Sequence, residues 1–208
     1  MSEEQFIKAL EKAKITEKKV NFDQTVDLII NLKNFDVRKE AFNIFIPLPE
    51  KIKNKKIAGF LEKDSKLIYT IKKDNFPSYK EKKDAKKLVK SYDFFIANAK
   101  LMPAVATTFG RVLGPVGKMP SPQLGVIMSE DDKTIESLIN KINSNVRIRV
   151  KEPSIKIGIG KESIGDEKLA SNAFAAYSKI LQTLPKQKDN IRNVKIKLTM
   201  GKPVNVEI

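Results

Sequence analysis

Alternation with a period of two marks both ends of this chain and is missing from its middle. From Gln24 to Lys33, Val26, Leu28, Ile30 and Leu32 alternate with Thr25, Asp27, Asn31 and Lys33. After Asn145 the same rhythm returns three times. Val146, Ile148 and Val150 alternate with Arg147, Arg149 and Lys151; Ile155, Ile157 and Ile159 with Lys156 and Gly158; Val194, Ile196 and Leu198 with Lys195, Lys197 and Thr199. Such a strand has one apolar face, which must be buried, and one face left to water. Helices to cover the apolar faces are present at both ends. Ser2 and Gln5 have capping-box spacing, with Phe6, Leu10 and Ala13 on one helical face. Asp166 is the predicted N-cap of a helix that turns Leu169, Ala173, Ala176, Ile180 and Leu184 inward and stops at Pro185. Ala41–Ile46 is the predicted partner of the first strand, ended by Pro47 and Pro49.

The middle has another style. Ile57–Phe60, Leu67–Ile71 and Asp93–Ala97 read as short buried strands. Helical patterns lie at Tyr79–Ser91, at Leu101–Leu113 with Pro103 in its first turn, and from Ser129, where Ile135, Leu138, Ile139 and Ile142 form a stripe. Strand–helix alternation predicts a small α/β layer with parallel strands. The simplest account is one α+β domain made by both termini, residues 1–49 and 147–208, with an α/β domain of residues 50–146 inserted into it. The two crossings, near Pro49 and Asn145, would form a hinge. The competing account is one continuous domain.

Charge narrows the function. The 208 residues carry a formal charge of +15; residues 1–49 are neutral overall, 50–145 carry +8 and 146–208 carry +7. Such a field favours anionic partners, nucleic acid first. Without Cys or His the chain has no disulfide, thiolate zinc site, Cys nucleophile or His-based triad. Gly158-Ile159-Gly160-Lys161 lacks the spacer of a phosphate loop, and around Gly117-Lys118 the motif's Gly and Ser/Thr positions hold Val112 and Met119. Glu130, Asp131 and Asp132 open a predicted helix, where acids complement the dipole without any metal. No apolar run approaches the ~18 residues needed to cross a bilayer, and the N-terminus has no secretory pattern, so a cytoplasmic protein without membrane contact is expected.

The wet strand faces are biased. Arg147, Arg149, Lys151, Lys156, Lys195 and Lys197 all alternate with core positions, as on a sheet that meets RNA phosphates; a solvated face is the plainer alternative. The stretch Lys51–Lys90 is a solvated helical surface with a supporting electrostatic role. Thr25 and Asp27 share a strand face, and both can hydrogen-bond a 2′-hydroxyl or a base edge. Phe22 is suited to core packing or to stacking. Thr199-Met200-Gly201-Lys202-Pro203 reads either as an ordinary hairpin turn or as one that a partner approaches, with Gly201 free to adopt φ > 0. Phe109–Pro122, FGRVLGPVGKMPSP, crowds Gly110, Gly114, Gly117, Pro115, Pro120 and Pro122 around Arg111 and Lys118. It suits an ordered interhelical connection, a phosphate-approaching loop or an interdomain joint.

That last segment resembles the signature of the large-subunit ribosomal protein L-one family, with LGP, a following Gly and a Pro shortly after. NFDQTVD, VRIRVK, IGKES leading to EKLASN, and LTMG resemble the same family in the same order, so the likeness spans the chain. It implies an α+β two-layer domain formed by both termini with an inserted three-layer α/β Rossmann-like domain, and no enzyme activity or cofactor. It implies binding to large-subunit ribosomal RNA at the mobile stalk near the tRNA exit site, indirect contact with exit-site tRNA, repression of translation through the protein's own messenger RNA, and a monomer when free. Carried over by position, the RNA-binding residues are Phe22, Thr25, Asp27, Lys151, Lys156, Thr199, Met200 and Gly201. Glu152-Pro153-Ser154, Met119 and Ser121 depart from the bacterial pattern, and the composition is similar to archaeal members. The alternative from another class is a nucleotide-dependent enzyme using the inserted α/β domain.

Overall fold

The computed structural model describes residues 2–15, 20–40, 42–79 and 82–207; Ala41 and Lys80–Glu81, at the starts of two predicted elements, lie outside them. The chain begins with α1 (Glu3–Ile15), β1 (Thr25–Leu32), the short α2 (Val37–Glu40) and β2 (Asn43–Pro47). Then come β3 (Ile57–Phe60), β4 (Tyr69–Ile71), α3 (Lys82–Ser91), β5 (Phe94–Asn98), α4 (Met102–Val116), β6 (Val126–Ile127) and α5 (Asp132–Ser144). It ends with β7 (Asn145–Arg149), β8 (Ser154–Lys161), α6 (Asp166–Thr183), β9 (Ile191–Leu198) and β10 (Val204–Asn205). The fold is mixed α/β and divides into two compact units, Met1–Lys53 with Ser144–Ile208, and Asn54–Asn143.

In the first unit an antiparallel sheet has the order β10-β9-β1-β8. The apolar face of β1, with Val26, Leu28, Ile30 and Leu32, is buried in one core with Ile155, Ile157, Val194 and Ile196. Phe6 and Leu10 of α1 and Leu169, Ala173, Ala176 and Ile180 of α6 complete that core, as the two-period demanded. Between Val26 and Asp27 the register with β8 shifts by one residue, so Ile159 and Gly160 are both buried. A Cβ on Gly160 would come within 2.7 Å of Leu169 Cδ2. Ser2 donates its backbone N–H to Gln5 Oε1 at 2.8 Å, one half of the predicted capping box.

Two expectations for this unit need correction. Strand β2 does not pair with β1: it joins β7 in a separate two-stranded antiparallel sheet, Phe45 opposite Arg147 and Asn43 opposite Arg149. Alternation marks a half-buried strand but carries no information about its partner, and β1 already has β8 and β9 on its two edges. Asp166 is not the N-cap of α6. That position is Gly165, at φ 101°, and the Asp166 carboxylate accepts from Lys14 Nζ of α1 at 2.6 Å.

In the second unit four parallel strands have the order β4-β3-β5-β6. All four residues of β3 are buried, so both faces of this central strand are covered. One face, with Ala58, Phe60, Phe95 and Ala97, packs with Leu88 and Val89 of α3 and Val105, Phe109 and Leu113 of α4. Strand β6 has only two residues, too few to leave a period, and was not foreseen.

The Gly/Pro-rich segment is also not one loop. Phe109 to Val116 is helix, because α4 runs through Gly110, Gly114 and Pro115. The chain breaks at Gly117, at φ 74°, where the Gly117 and Lys118 amides donate to the Gly114 and Leu113 carbonyls at 3.0 Å each. This is a Schellman ending, and it needs the left-handed residue. Lys118 is occupied within the unit: its Nζ donates to the Val89 and Tyr92 carbonyls at 2.7 Å each, neutralising the C-terminal end of α3. A Cβ on Gly110 or Gly114 would meet nothing within 4 Å, so the packing seen here does not require those two glycines.

Candidate nucleic-acid interface

The open face of the antiparallel sheet is built by the residues that alternate with the core. On β1 these are Thr25, Asp27, Ile29 and Asn31. Register places Lys197 of β9 and Gly158 of β8 on either side of Asp27, and Lys195 and Lys156 on either side of Ile29. Asn31 lies between Asn193 and Ser154, donating to Asn193 Oδ1 at 2.6 Å and accepting from Ser154 Oγ at 2.8 Å. Ammonium groups therefore flank a strip made by Thr25, Asp27, Ile29 and Asn31, with a bare place at Gly158 beside Asp27. Glycine at 158 keeps it bare, since a Cβ there would lie 3.4 Å from Thr25 Cγ2 and 3.5 Å from Asp27 Oδ1.

The Thr199–Gly201 turn closes one end of this strip and is held to the start of β1. Thr199 Oγ1 accepts the Thr25 N–H at 3.1 Å and donates to the Thr25 carbonyl at 3.2 Å, extending the ladder through a side chain. Gln24, 2% exposed, accepts the Met200 N–H at its Oε1 (3.0 Å), while its backbone carbonyl accepts from Glu162. Lys197 Nζ donates to the Thr199 carbonyl at 3.0 Å. The turn itself is a Gly201 N–H bond to Leu198 O at 3.1 Å. Gly201 does not adopt the expected positive φ; among the described residues the positive-φ glycines are Gly117, Gly125 and Gly165.

Phe22 and Met200 stand beside this end, 52% and 68% exposed, so core packing, one of the two readings open for Phe22, is not its role. The structure thus gathers Phe22, Thr25, Asp27, Lys156, Thr199, Met200 and Gly201 on or at the end of one sheet face. Lys151 is apart from them, exposed in the loop between β7 and β8. Arg147 and Arg149 are also elsewhere, on β7, where Arg147 Cζ lies 5.5 Å from the Phe45 ring centre and its Nε donates to Asn43 Oδ1 at 3.0 Å. Sequence reasoning missed Gln24 and Gly158. A buried glutamine that braces a distant turn leaves no periodic signal, and nothing local sets Gly158 apart as the bare place beside Asp27.

Burial pushes the Asp27 carboxyl up from its ordinary value, and Lys197 opposite offsets only part of that. The unfolded chain therefore loses this proton at lower pH than the folded one, and stability falls as pH rises through that window to a level that persists at neutrality. Asp27→Asn is expected to raise the melting temperature of the free protein at pH 7, with the gain vanishing below the ordinary carboxyl pKa. An unchanged or lower melting temperature at pH 7 would show that the site does not strain the carboxylate.

A cation-lined open sheet, with no His or Cys anywhere in the chain, defines a protein suited to a polyanionic partner rather than to acid–base or thiol chemistry. Residues 10–202 match the model of the Ribosomal protein L1p/L10e family. Large ribosomal subunit protein uL1 of Thermococcus kodakarensis is 37% identical over 98% of this chain and 97% of its own length. The proteins of the same name from Nanoarchaeum equitans and Thermofilum pendens are each 38% identical over 91% of this chain, and over 93% and 86% of their own lengths. The chain belongs to this family, with archaeal relatives. It is a ribosomal protein of the cytoplasm and not an enzyme, and the nucleotide-dependent alternative has no support.

Proposed function

We propose that the chain is a structural component of the large ribosomal subunit that binds large-subunit ribosomal RNA through the open face of its antiparallel sheet. The observation that carries this reading is the flanking of the Thr25–Asn31 strip by Lys156, Lys195 and Lys197, closed at one end by a turn braced through Thr199, Gln24 and Lys197. Ammonium groups meet phosphates, and Thr25 and Asp27 meet 2′-hydroxyls or base edges. Phe22 and Met200 supply exposed apolar surface for an unstacked base, and Lys151 adds a peripheral cation. A pre-braced turn loses little conformational freedom on binding.

The finer parts of this reading follow the family. The RNA site is the mobile stalk near the tRNA exit site, contact with exit-site tRNA is indirect, and the same face binds a stalk mimic on the protein's own messenger. The two compact units act as domains, one from both termini and one inserted, joined by a two-strand hinge, and the free protein is a monomer.

Filter binding to a stalk RNA fragment across a salt series tests the core claim. Affinity is expected to fall steeply with salt, because each phosphate neutralised releases counterions, and an unlabelled messenger fragment should compete. Salt-independent binding, or no preference over unrelated RNA, would sink the proposal. Thr199→Val keeps the shape of the side chain but removes both bonds to Thr25. It should cost about 1–1.4 kcal/mol of RNA affinity, roughly five- to tenfold, and Thr199→Ser should restore it. Equal affinity for Thr199→Val would mean that the turn does not grip RNA.

A further inference from the structure

At the C-terminal ends of the parallel strands β3 and β5, three donors converge on one carboxylate. The backbone N–H of Glu62 donates to Glu130 Oε1 at 2.9 Å and that of Lys63 to Oε2 at 2.8 Å. Asn98 Nδ2, on a side chain only 4% exposed, donates to Oε1 at 2.6 Å. Asn98 is itself fixed, since its Oδ1 accepts the Lys100 N–H at 3.0 Å. Glu62 and Lys63 follow β3, Asn98 ends β5, and Glu130 precedes α5, so the carboxylate joins three chain segments at one point.

The position in the sheet gives this arrangement a meaning beyond packing. In the order β4-β3-β5-β6 the chain passes from β3 to β4 on one side and continues from β5 to β6 on the other, so the order reverses between β3 and β5. In open parallel α/β sheets the crevice outside such a reversal is where ligands bind, and successive backbone amides there form concavities that hold anions. A phosphoryl group presents oxygens to donors much as a carboxylate does. We propose that this crevice is a phosphate-type anion seat that the chain fills with its own Glu130. The tether gives the carboxylate a high effective concentration, so the intact protein leaves the seat closed to free phosphate. Removing the carboxylate leaves two amides and a buried amide side chain aimed at an empty place, with the Lys63 ammonium nearby. The neighbouring Glu62, Asp131 and Asp132 oppose a dianion, which sets the expected affinity in the millimolar range.

Thermal melts of the full chain in sodium phosphate against sodium chloride of equal ionic strength test this, together with amide spectra of Glu62 and Lys63. Glu130→Ala is expected to melt below the natural protein in chloride and to recover saturably with inorganic phosphate, with the two amide signals shifting along the same curve. The natural protein reports any phosphate effect of the basic sheet, and it should show neither the specific recovery nor the amide shifts. Adding Asn98→Ala to Glu130→Ala should abolish the response. If Glu130→Ala does not fold in chloride, inorganic phosphate is expected to restore its folding saturably at constant ionic strength, and no such restoration would overturn the proposal. A phosphate response no larger than that of the natural protein, or unshifted Glu62 and Lys63 amides in the folded variant, would overturn the proposal.

Discussion

Phe109→Ala is expected to destabilise the inserted unit by about 3–5 kcal/mol, the usual cost of emptying a large aromatic site in a core. Phe109 is fully buried, and its ring centre lies 4.9 Å from that of Phe60, 5.3 Å from Phe76 and 5.7 Å from Tyr79. Phe60 in turn packs on Phe95 at 5.7 Å. One side chain from α4 therefore closes an aromatic cluster contributed by β3, β5 and the segment before α3. The loss should also be confined. If the units fold as separate domains, hydrogen exchange will show protection lost in β3, β5 and α4 while β1, β8 and β9 keep theirs. Simultaneous loss in both units would count against the two-domain arrangement, and a cost below about 1 kcal/mol against the packing role of Phe109.

The largest functional effect is expected from replacing Lys156, Lys195 and Lys197 together by Gln. If each ammonium neutralises one phosphate, each contributes roughly eightfold at about 0.1 M salt, so the triple variant should bind the stalk RNA on the order of 500-fold more weakly. The slope of log affinity against log salt should fall by about 2.7. The three positions point away from the core, Lys156 in a long contact of 3.9 Å with Glu152 and Lys197 bonded to the Thr199 carbonyl. Loss of Lys156 and Lys195 should change the melting temperature little, and loss of Lys197 should lower it modestly, because Lys197 bonds the turn and faces the Asp27 carboxylate. A matched triple replacement of Lys83, Lys86 and Lys87, exposed on α3, separates a local grip from a general field. If both triples weaken binding equally, the sheet face holds no privileged place and the cations act only through net charge.

What could be read along the chain followed from local periodicity. Period two in Val26–Leu32 and Val194–Leu198, and the apolar stripes of α1 and α6, required strands with one covered face, and the same alternation required that Lys156, Lys195 and Lys197 point outward. The mixed α/β character followed as well, whereas the family was legible only through the likeness of its motifs, the Phe109–Pro122 segment and LTMG among them. Other features were hidden because their causes are distant in sequence. Register across β1 sets Lys197 and Gly158 beside Asp27. The pairing of β2 with β7 moves Arg147 and Arg149 off the main sheet. Gln24 reaches Met200 from the far end of the chain. Gly110, Gly114 and Pro115 are turn-forming residues by local preference, yet α4 continues through them because Phe109 and Leu113 are buried on its inner face and Gly117 supplies the left-handed residue that ends it.

Residue types and their spacing were enough to fix which strand faces are wet, that the surface is cationic, and that no thiol or imidazole chemistry is available. Which wet residues become neighbours, which cations are already used, as Lys118 is on the end of α3, and which carboxylate the Glu62 and Lys63 amides hold were settled by the folded arrangement. Those outcomes depend on hydrogen bonds between segments far apart in the chain, and periodicity, which reports only on nearby residues, does not encode them.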